Sequence, residues 1–150
     1  MEGKSMAKEI VVGKITDYIE SHLTEDLSLH HIAEELNYSQ FYMERVFSKI
    51  RGTTIYQYIR ERRLTKAAEQ LVVTNRPIID IALEAGYSSP QAFTQAFSSR
   101  YLCPPRVYRK MRGIVPRPTV SGVFRMTAAV RVANSEYPLL FRIWKGRAAA

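Results

Sequence analysis

A chain of 150 residues has room for one domain, or for two very small ones sharing a spine. Its 46% hydrophobic content is ordinary for a globular protein, and no apolar run approaches the roughly 18 residues of a membrane helix. The single cysteine, Cys103, excludes an internal disulfide and a cysteine-cluster zinc site. The net charge is +8, unevenly spread. Residues 1–44 hold three Lys/Arg against nine Asp/Glu, a net of −6. Residues 45–150 hold nineteen against five, a net of +14, with no acid between Ala85 and Ser135. A basic region beside an acidic one suggests a polyanionic partner on one side. A basic surface kept soluble by its charge is the competing reading.

Residues 1–8 read as a disordered start. The segment MEGKSMAKEI lacks an apolar run followed by a cleavage site, so the expectation is a cytoplasmic protein without a secretory signal. From Glu9 to Leu23, Val11, Ile15, Tyr18, Ile19 and Leu23 recur at helical spacing, with Lys14, Asp17 and Glu20 outward. Ser28 caps a second helix, LHHIAEEL, and Asn37 can end it in a left-handed conformation. Ser39 caps a third, QFYMERVFSKI, which Gly52 ends. The segment 54–73, TIYQYIRERRLTKAAEQLVV, contains neither Pro nor Gly and reads as one long helix, with Thr53 or Thr54 as its cap. At about 1.5 Å per residue it makes a rod of about 30 Å, close to the 34–36 Å of one DNA turn. Pro77 then suits the first turn of a short helix that Gly86 stops. Pro90 opens another, PQAFTQAFSSR, and Pro105 a last one, RVYRKM.

An internal repeat emerges. Ile32-Ala33 through Tyr38-Ser39 matches Ile81-Ala82 through Tyr87-Ser88, and Met43, Phe47 and Tyr58 match Phe93, Phe97 and Tyr108. Each copy is a short helix, a tight turn at Asn or Gly, and a second helix behind a serine cap. That is helix-turn-helix patterning, whose second helix enters the major groove. The expected fold is all-α, with about seven helices. A first helix-turn-helix subdomain covers 9–53, the linker helix 54–73 and a second subdomain 74–112. Residues 113–150 are β-branched, aromatic and punctuated by Pro and Gly. They read as an irregular or β-like tail, VFRM and LLFRIW being candidate strands, or as the truncated start of an effector-type domain.

In the first reading helix Met43, Val46, Phe47 and Ile50 form an inward face, leaving Gln40, Phe41, Glu44, Arg45, Ser48 and Lys49. Arg45 can donate twice to guanine, Gln40 can pair with adenine, and Glu44 can accept from cytosine. Phe41 can pack on a thymine methyl. In the second reading helix Phe93, Ala96 and Phe97 turn inward, leaving Gln91, Ala92, Thr94, Gln95 and Ser98. Gln91 and Gln95 can read bases, and Ser88, Ser89 and Thr94 can meet phosphates at a helix N-terminus. Further candidates for the DNA backbone are Ser39, Lys49, Arg51, Arg60, Arg63, Arg106, Arg109 and Lys110. A solvated face is the competing reading for each; exposed Phe41 weighs against it in the first helix.

No other chemistry assembles. His22, His30 and His31 have no metal-ligand spacing, Cys103 has no base partner, and phosphate-binding glycine loops and nucleophile motifs are absent. The expectation is no enzyme, no cofactor and no metal.

The segments LSLHHIAEELNYSQFYMERVF, GTTIYQYIRERRLTKAAEQL, RPIIDIALEAGYSSPQAFTQAFSSRY and PPRVYRK resemble the AraC/XylS transcription regulators across roughly residues 10–112. The similarity is strongest to the stand-alone MarA, SoxS and Rob group. The resemblance implies seven helices, two helix-turn-helix units, double-stranded DNA as partner, binding as a monomer, and recruitment of RNA polymerase. By position it places base reading on Phe41, Glu44, Arg45, Gln91, Ala92 and Gln95, and a backbone contact on Arg109. The family commonly has Trp and Gln where this chain has Phe41 and Glu44, and Gln, Thr and Arg where it has Pro90, Ala92 and Gln95. The run GIVPRP resembles the start of the effector domain of Rob-like proteins. The leading expectation is therefore a sequence-specific transcription regulator that acts as an activator. The alternatives are a low-specificity architectural or origin-type DNA-binding protein, and a helical adaptor for an acidic protein.

Overall fold

The computed structural model describes residues 2–111, and these form seven helices. They are α1 (Glu2–Ser21), α2 (Leu29–Leu36), α3 (Gln40–Arg51), α4 (Ile55–Val73), α5 (Ile78–Glu84), α6 (Pro90–Tyr101) and α7 (Pro105–Lys110). The expected irregular start is instead helical from Glu2, because Glu2, Lys4, Met6, Ala7 and Lys8 are favourable helix residues continuous with the amphipathic stretch. The expected tail lies outside the described residues.

The chain divides into two units, with the boundary inside α4 between Arg63 and Leu64 rather than at either end of that helix. In the first unit Val11, Val12, Ile15 and Ile19 of α1 pack with Ile32 of α2, Met43, Val46 and Phe47 of α3, and Ile55, Tyr58 and Ile59 of α4. In the second unit Leu64, Ala67, Ala68 and Leu71 of α4 pack with Ile81 and Ala82 of α5, Phe93, Ala96, Phe97 and Tyr101 of α6, and Tyr108 of α7. The apolar stripe of α4 thus serves one core with its first two turns and the other with its last three. Burying each phenylalanine ring contributes roughly 1.5–3 kcal/mol, so Phe47, Phe93 and Phe97 are principal supports.

The turns of the two units are built alike. In the first, Asn37 sits at φ 56° and ψ 42°. Its N–H donates to the Glu34 carbonyl at 3.2 Å, and the Tyr38 N–H to the Ala33 carbonyl at 3.0 Å. In the second, Gly86 sits at φ 86°. Its N–H donates to the Leu83 carbonyl at 3.0 Å, and the Tyr87 N–H to the Ala82 carbonyl at 3.1 Å. Both are Schellman turns, which satisfy the last carbonyls of a helix and require a left-handed residue. Ser28 and Ser39 accept from the His31 and Tyr42 N–H groups, and Ser89 accepts from that of Ala92, each at 3.1 Å. Each such cap stabilises its helix by about 1 kcal/mol. The ends of α3 and α6 match as well: Gly52 at φ 71° and Leu102 at φ 59° return their N–H groups to Ser48 and Ser98 at 2.9 Å.

Candidate nucleic-acid interface

Helix α3 fixes what the first unit can present. Its buried face is Met43, Val46 and Phe47. Ile50, expected inward, stands 39% exposed in the last turn of the helix. Gln40, Phe41, Arg45 and Lys49 all lie in solvent. Phe41 is 75% exposed, and the Arg45 guanidinium carbon lies 5.7 Å from its ring centroid. A phenyl ring in water forgoes the hydrophobic stabilisation that burial would give and leaves an apolar surface open to a partner. At that distance the ring and the Arg45 guanidinium attract one another as a cation–π pair.

Gln40 is held from α2. Its Nε2 lies 3.1 Å from His30 Nδ1, and His30 Nε2 lies 3.3 Å from Glu34 Oε1. With His30 neutral and its proton on Nε2, the amide donates to the ring and the ring donates to the carboxylate. His30, unpromising as a metal ligand, thus supports a candidate reading residue. Sequence spacing gave no sign of it, because His30 and Gln40 meet only once the turn at Asn37 has folded.

Glu44 is only half exposed. Its Oε1 accepts from the Ser48 hydroxyl and from the Ile55 backbone N–H, both at 3.1 Å. That oxygen is committed inside the first unit.

Helix α6 presents Pro90, Gln91, Ala92 and Gln95 to solvent over a buried Phe93, Ala96, Phe97 and Tyr101. Thr94 is half-buried. Gln91 and Gln95 lie a turn apart on one face. Arg100, the charged residue of this helix, stacks over Tyr101 at 5.7 Å from the ring centroid.

The candidate phosphate ligands separate into two groups. Lys49, Arg51, Arg60, Arg106 and Lys110 reach solvent. Arg51 leans over the Tyr58 ring at 5.8 Å and donates to Thr16 Oγ1 at 3.3 Å. Ser39 and Ser89 accept cap bonds, and each hydroxyl keeps a proton to donate. Arg63 and Arg109, expected on phosphates, are drawn inward instead. Arg63 Nε donates to the Leu23 carbonyl at 2.9 Å and its Nη2 to the Glu25 carbonyl at 2.6 Å, satisfying acceptors beyond the end of α1. Arg109 Nε donates to the Leu71 carbonyl at 3.2 Å, near the end of α4. The C-terminal carbonyls of a helix attract cations for the reason that phosphates do.

Glu20, expected outward, is turned in as well. Arg62 donates to it in a fork, Nε to Oε1 at 2.6 Å and Nη2 to Oε2 at 2.9 Å, and the Tyr58 hydroxyl donates to Oε1 at 3.0 Å. Burial and this carboxylate together raise the Tyr58 hydroxyl above its ordinary value. Burial pushes the Cys103 thiol up to about 12, so it is a packed apolar group rather than a nucleophile. Among the described residues no group of three or more His, Cys, Asp and Glu side chains is arranged to hold a metal, and no helix is long and apolar enough to cross a membrane.

Comparison with known proteins agrees with this arrangement. A helix-turn-helix domain family matches residues 32–111. The chain is 36% identical over 135 residues to the right origin-binding protein of Escherichia coli K12, covering 87% of this chain and 46% of that protein. It therefore spans about half the length of that relative. It is 35% identical over 104 residues to the regulatory protein SoxS of Salmonella typhimurium, covering 69% of this chain and 97% of that one. A transcriptional regulator of Chromobacterium violaceum with an AraC-type DNA-binding domain superposes with a TM-score of 0.68 at 28% identity, over 72% of this chain and 96% of that one. With two capped helix-turn-helix units and these matches along most of its length, the chain belongs to the AraC-type helix-turn-helix family of DNA-binding transcription regulators.

Proposed function

We propose that the chain is a sequence-specific regulator that sets α3 and α6 into the major groove of double-stranded DNA at successive turns. It acts in the cytoplasm, as a monomer on DNA, and as an activator that recruits RNA polymerase. Gln40, Phe41 and Arg45 read bases from the first unit, and Gln91, Ala92 and Gln95 from the second. Ser39, Lys49, Arg51, Arg60, Ser89, Thr94, Arg106 and Lys110 hold the phosphate backbone. The observation that carries this reading is the solvent-facing pair of Phe41 and Arg45 on a helix that buries Met43, Val46 and Phe47 on its other face. An aromatic ring and a guanidinium fork side by side match a thymine methyl beside a guanine edge. Selection of binding sites from random duplexes, followed by competition at physiological salt, tests it. A recovered motif bound at least about 10³-fold more tightly than random sequence supports a specific regulator.

One observation favours a second reading, a low-specificity architectural or origin-type protein. The exposed face of α6 carries two glutamines and an alanine, and so has fewer hydrogen-bond donors for base edges than α3 with its Arg45 fork. A specificity ratio near unity, with undiminished salt dependence, would decide for it.

A further inference from the structure

Glu44 occupies a position from which a carboxylate could reach a base edge, yet its contacts run the other way. Helix α4 begins at Ile55, and its first N–H groups have no partners within the helix. Thr54 Oγ1 accepts from the Gln57 N–H at 3.1 Å, satisfying one of them. Glu44 Oε1 accepts from the Ile55 N–H at 3.1 Å, satisfying another across eleven residues of sequence. The Ser48 hydroxyl donates to the same oxygen at 3.1 Å and fixes the carboxylate's rotamer from the next turn of α3. A negative charge at a helix N-terminus is favoured by the helix dipole too.

The internal repeat supplies an independent observation. Counting from the aligned pairs Met43/Phe93, Phe47/Phe97 and Tyr58/Tyr108, position 55 corresponds to 105 and position 44 to 94. The second unit has Pro105 where the first has Ile55, and α7 starts at that proline without a side-chain cap. Proline has no N–H to satisfy. At the position of Glu44 the second unit has Thr94. The carboxylate is present in the unit whose next helix has an N–H at its first residue, Ile55, and absent from the unit whose next helix has a proline there, Pro105.

We propose that Glu44 is a positioning residue, locking reading helix α3 to the start of α4, and that it does not read bases. It holds the angle at which Phe41 and Arg45 are presented, and the acid is kept at the DNA-facing surface for the sake of that lock. The inference deepens the DNA-reading function, but its first test involves no DNA. Glu44→Ala should speed amide hydrogen exchange at Ile55 by roughly tenfold or more, the factor carried by a hydrogen bond to a charged group, while Glu44→Gln, which keeps an acceptor oxygen, should hold the protection. Should Glu44→Ala fold too poorly to measure, the pair Glu44→Thr and Ile55→Pro reproduces the second unit's solution. Glu44→Thr should then lower the thermal midpoint much less in an Ile55→Pro background than in the natural chain. Site selection with Glu44→Gln should recover the base preference of the natural chain, with cognate and random duplexes both tightened by one factor. Unchanged Ile55 exchange in Glu44→Ala, additive effects in the Thr/Pro pair, or a preference altered at a single base pair in Glu44→Gln would each overturn the assignment. A chain with no base preference at all would refute sequence-specific reading and leave the exchange and midpoint results to judge the lock.

Discussion

Replacing Glu20 by Ala removes the anion that joins α1 to α4 in the first unit. The Arg62 side chain retains 15% of its exposure and that of Glu20 32%, so the fork lies mostly out of water. Breaking a fully buried pair costs about 3–5 kcal/mol, because the surviving charge keeps its desolvation penalty. An exposed pair is worth about 0–1 kcal/mol. The observed burial falls between these limits, and the Tyr58 hydroxyl also loses its acceptor. We therefore expect Glu20→Ala to cost roughly 2 kcal/mol, and Glu20→Gln, which keeps an acceptor, about half as much. Arg62→Lys should not restore stability, since a single ammonium cannot reproduce two parallel N–H bonds. The assay is urea unfolding near neutral pH, followed by far-ultraviolet circular dichroism, on the natural chain, Glu20→Ala, Arg62→Ala and the double variant. A coupling of about 1–2 kcal/mol is expected from the cycle. Additivity within about 0.5 kcal/mol would show that the fork contributes packing only and would refute this account.

On cognate DNA, Arg45→Ala should lose roughly 1–3 kcal/mol of binding and relax preference at one base pair; equal loss on random DNA would remove it from the reading set. Arg106→Ala should weaken all sequences alike and lower the salt slope by about one, whereas Arg109→Ala should lower the urea midpoint, since its Nε holds the Leu71 carbonyl. Cys103 should resist a thiol reagent at about pH 8 until urea is added. Alkaline pH should destabilise the fold. The thiol's ordinary value is 9.0 and its folded value about 12, and Tyr58 and Tyr108 are also raised by burial from 10.0. The folded chain thus holds protons that the unfolded chain releases, so this stability is complete below pH 9 and falls as pH rises toward 12. A urea midpoint that did not fall over that range would contradict the burial of these groups.

Local signals carried most of the fold to the surface of the sequence. Ser28, Ser39, Asn37, Gly52 and Gly86 each act where the chain pattern places them, and Thr54 is one of the two caps it offers for α4. The second unit's cap falls on Ser89, one residue beyond the Ser88 that the repeat pairs with Ser39. Caps and left-handed turns are decided within about five residues. The apolar stripes were legible for the same reason, with Ile50 escaping at a helix end where few neighbours remain to cover it. The charged residues were not legible. Arg62 and Arg63 are neighbours with similar surroundings in sequence, yet one grips Glu20 and the other the carbonyls of Leu23 and Glu25. Those partners lie about forty residues away and become partners only once α1 and α4 pack. A basic side chain in sequence therefore has two kinds of anion open to it, a phosphate or a helix end, and composition cannot separate them. The same holds for Leu102, whose left-handed φ of 59° is expected of Gly or Asn; its place at the end of α6 follows from the repeat rather than from its residue type.

The two units share their backbone devices down to the hydrogen bonds of the turn, and they differ in what they expose. Asn37 and Gly86 make the same pair of bonds, and Ser39 and Ser89 the same cap. Around that frame the first unit has Phe41 and Arg45 in solvent and Gln40 braced by His30. At the positions of His30 and Glu34 the second has Ile79 and Leu83, which are 50% and 57% exposed, and at that of Gln40 it has Pro90. The brace thus has no counterpart: aliphatic side chains cannot orient an amide, and proline has no amide to orient. The interactions common to the two copies face inward, and on the proposed reading base preference rests on exposed residues, which can differ between the copies without disturbing that shared frame. Exchanging the exposed residues of α6 for those of α3 should accordingly change which sequence is bound while leaving the urea midpoint within about 0.5 kcal/mol, the ordinary range of surface substitutions. A large loss of stability on that exchange would mean that the second unit's exposed face is part of its core after all.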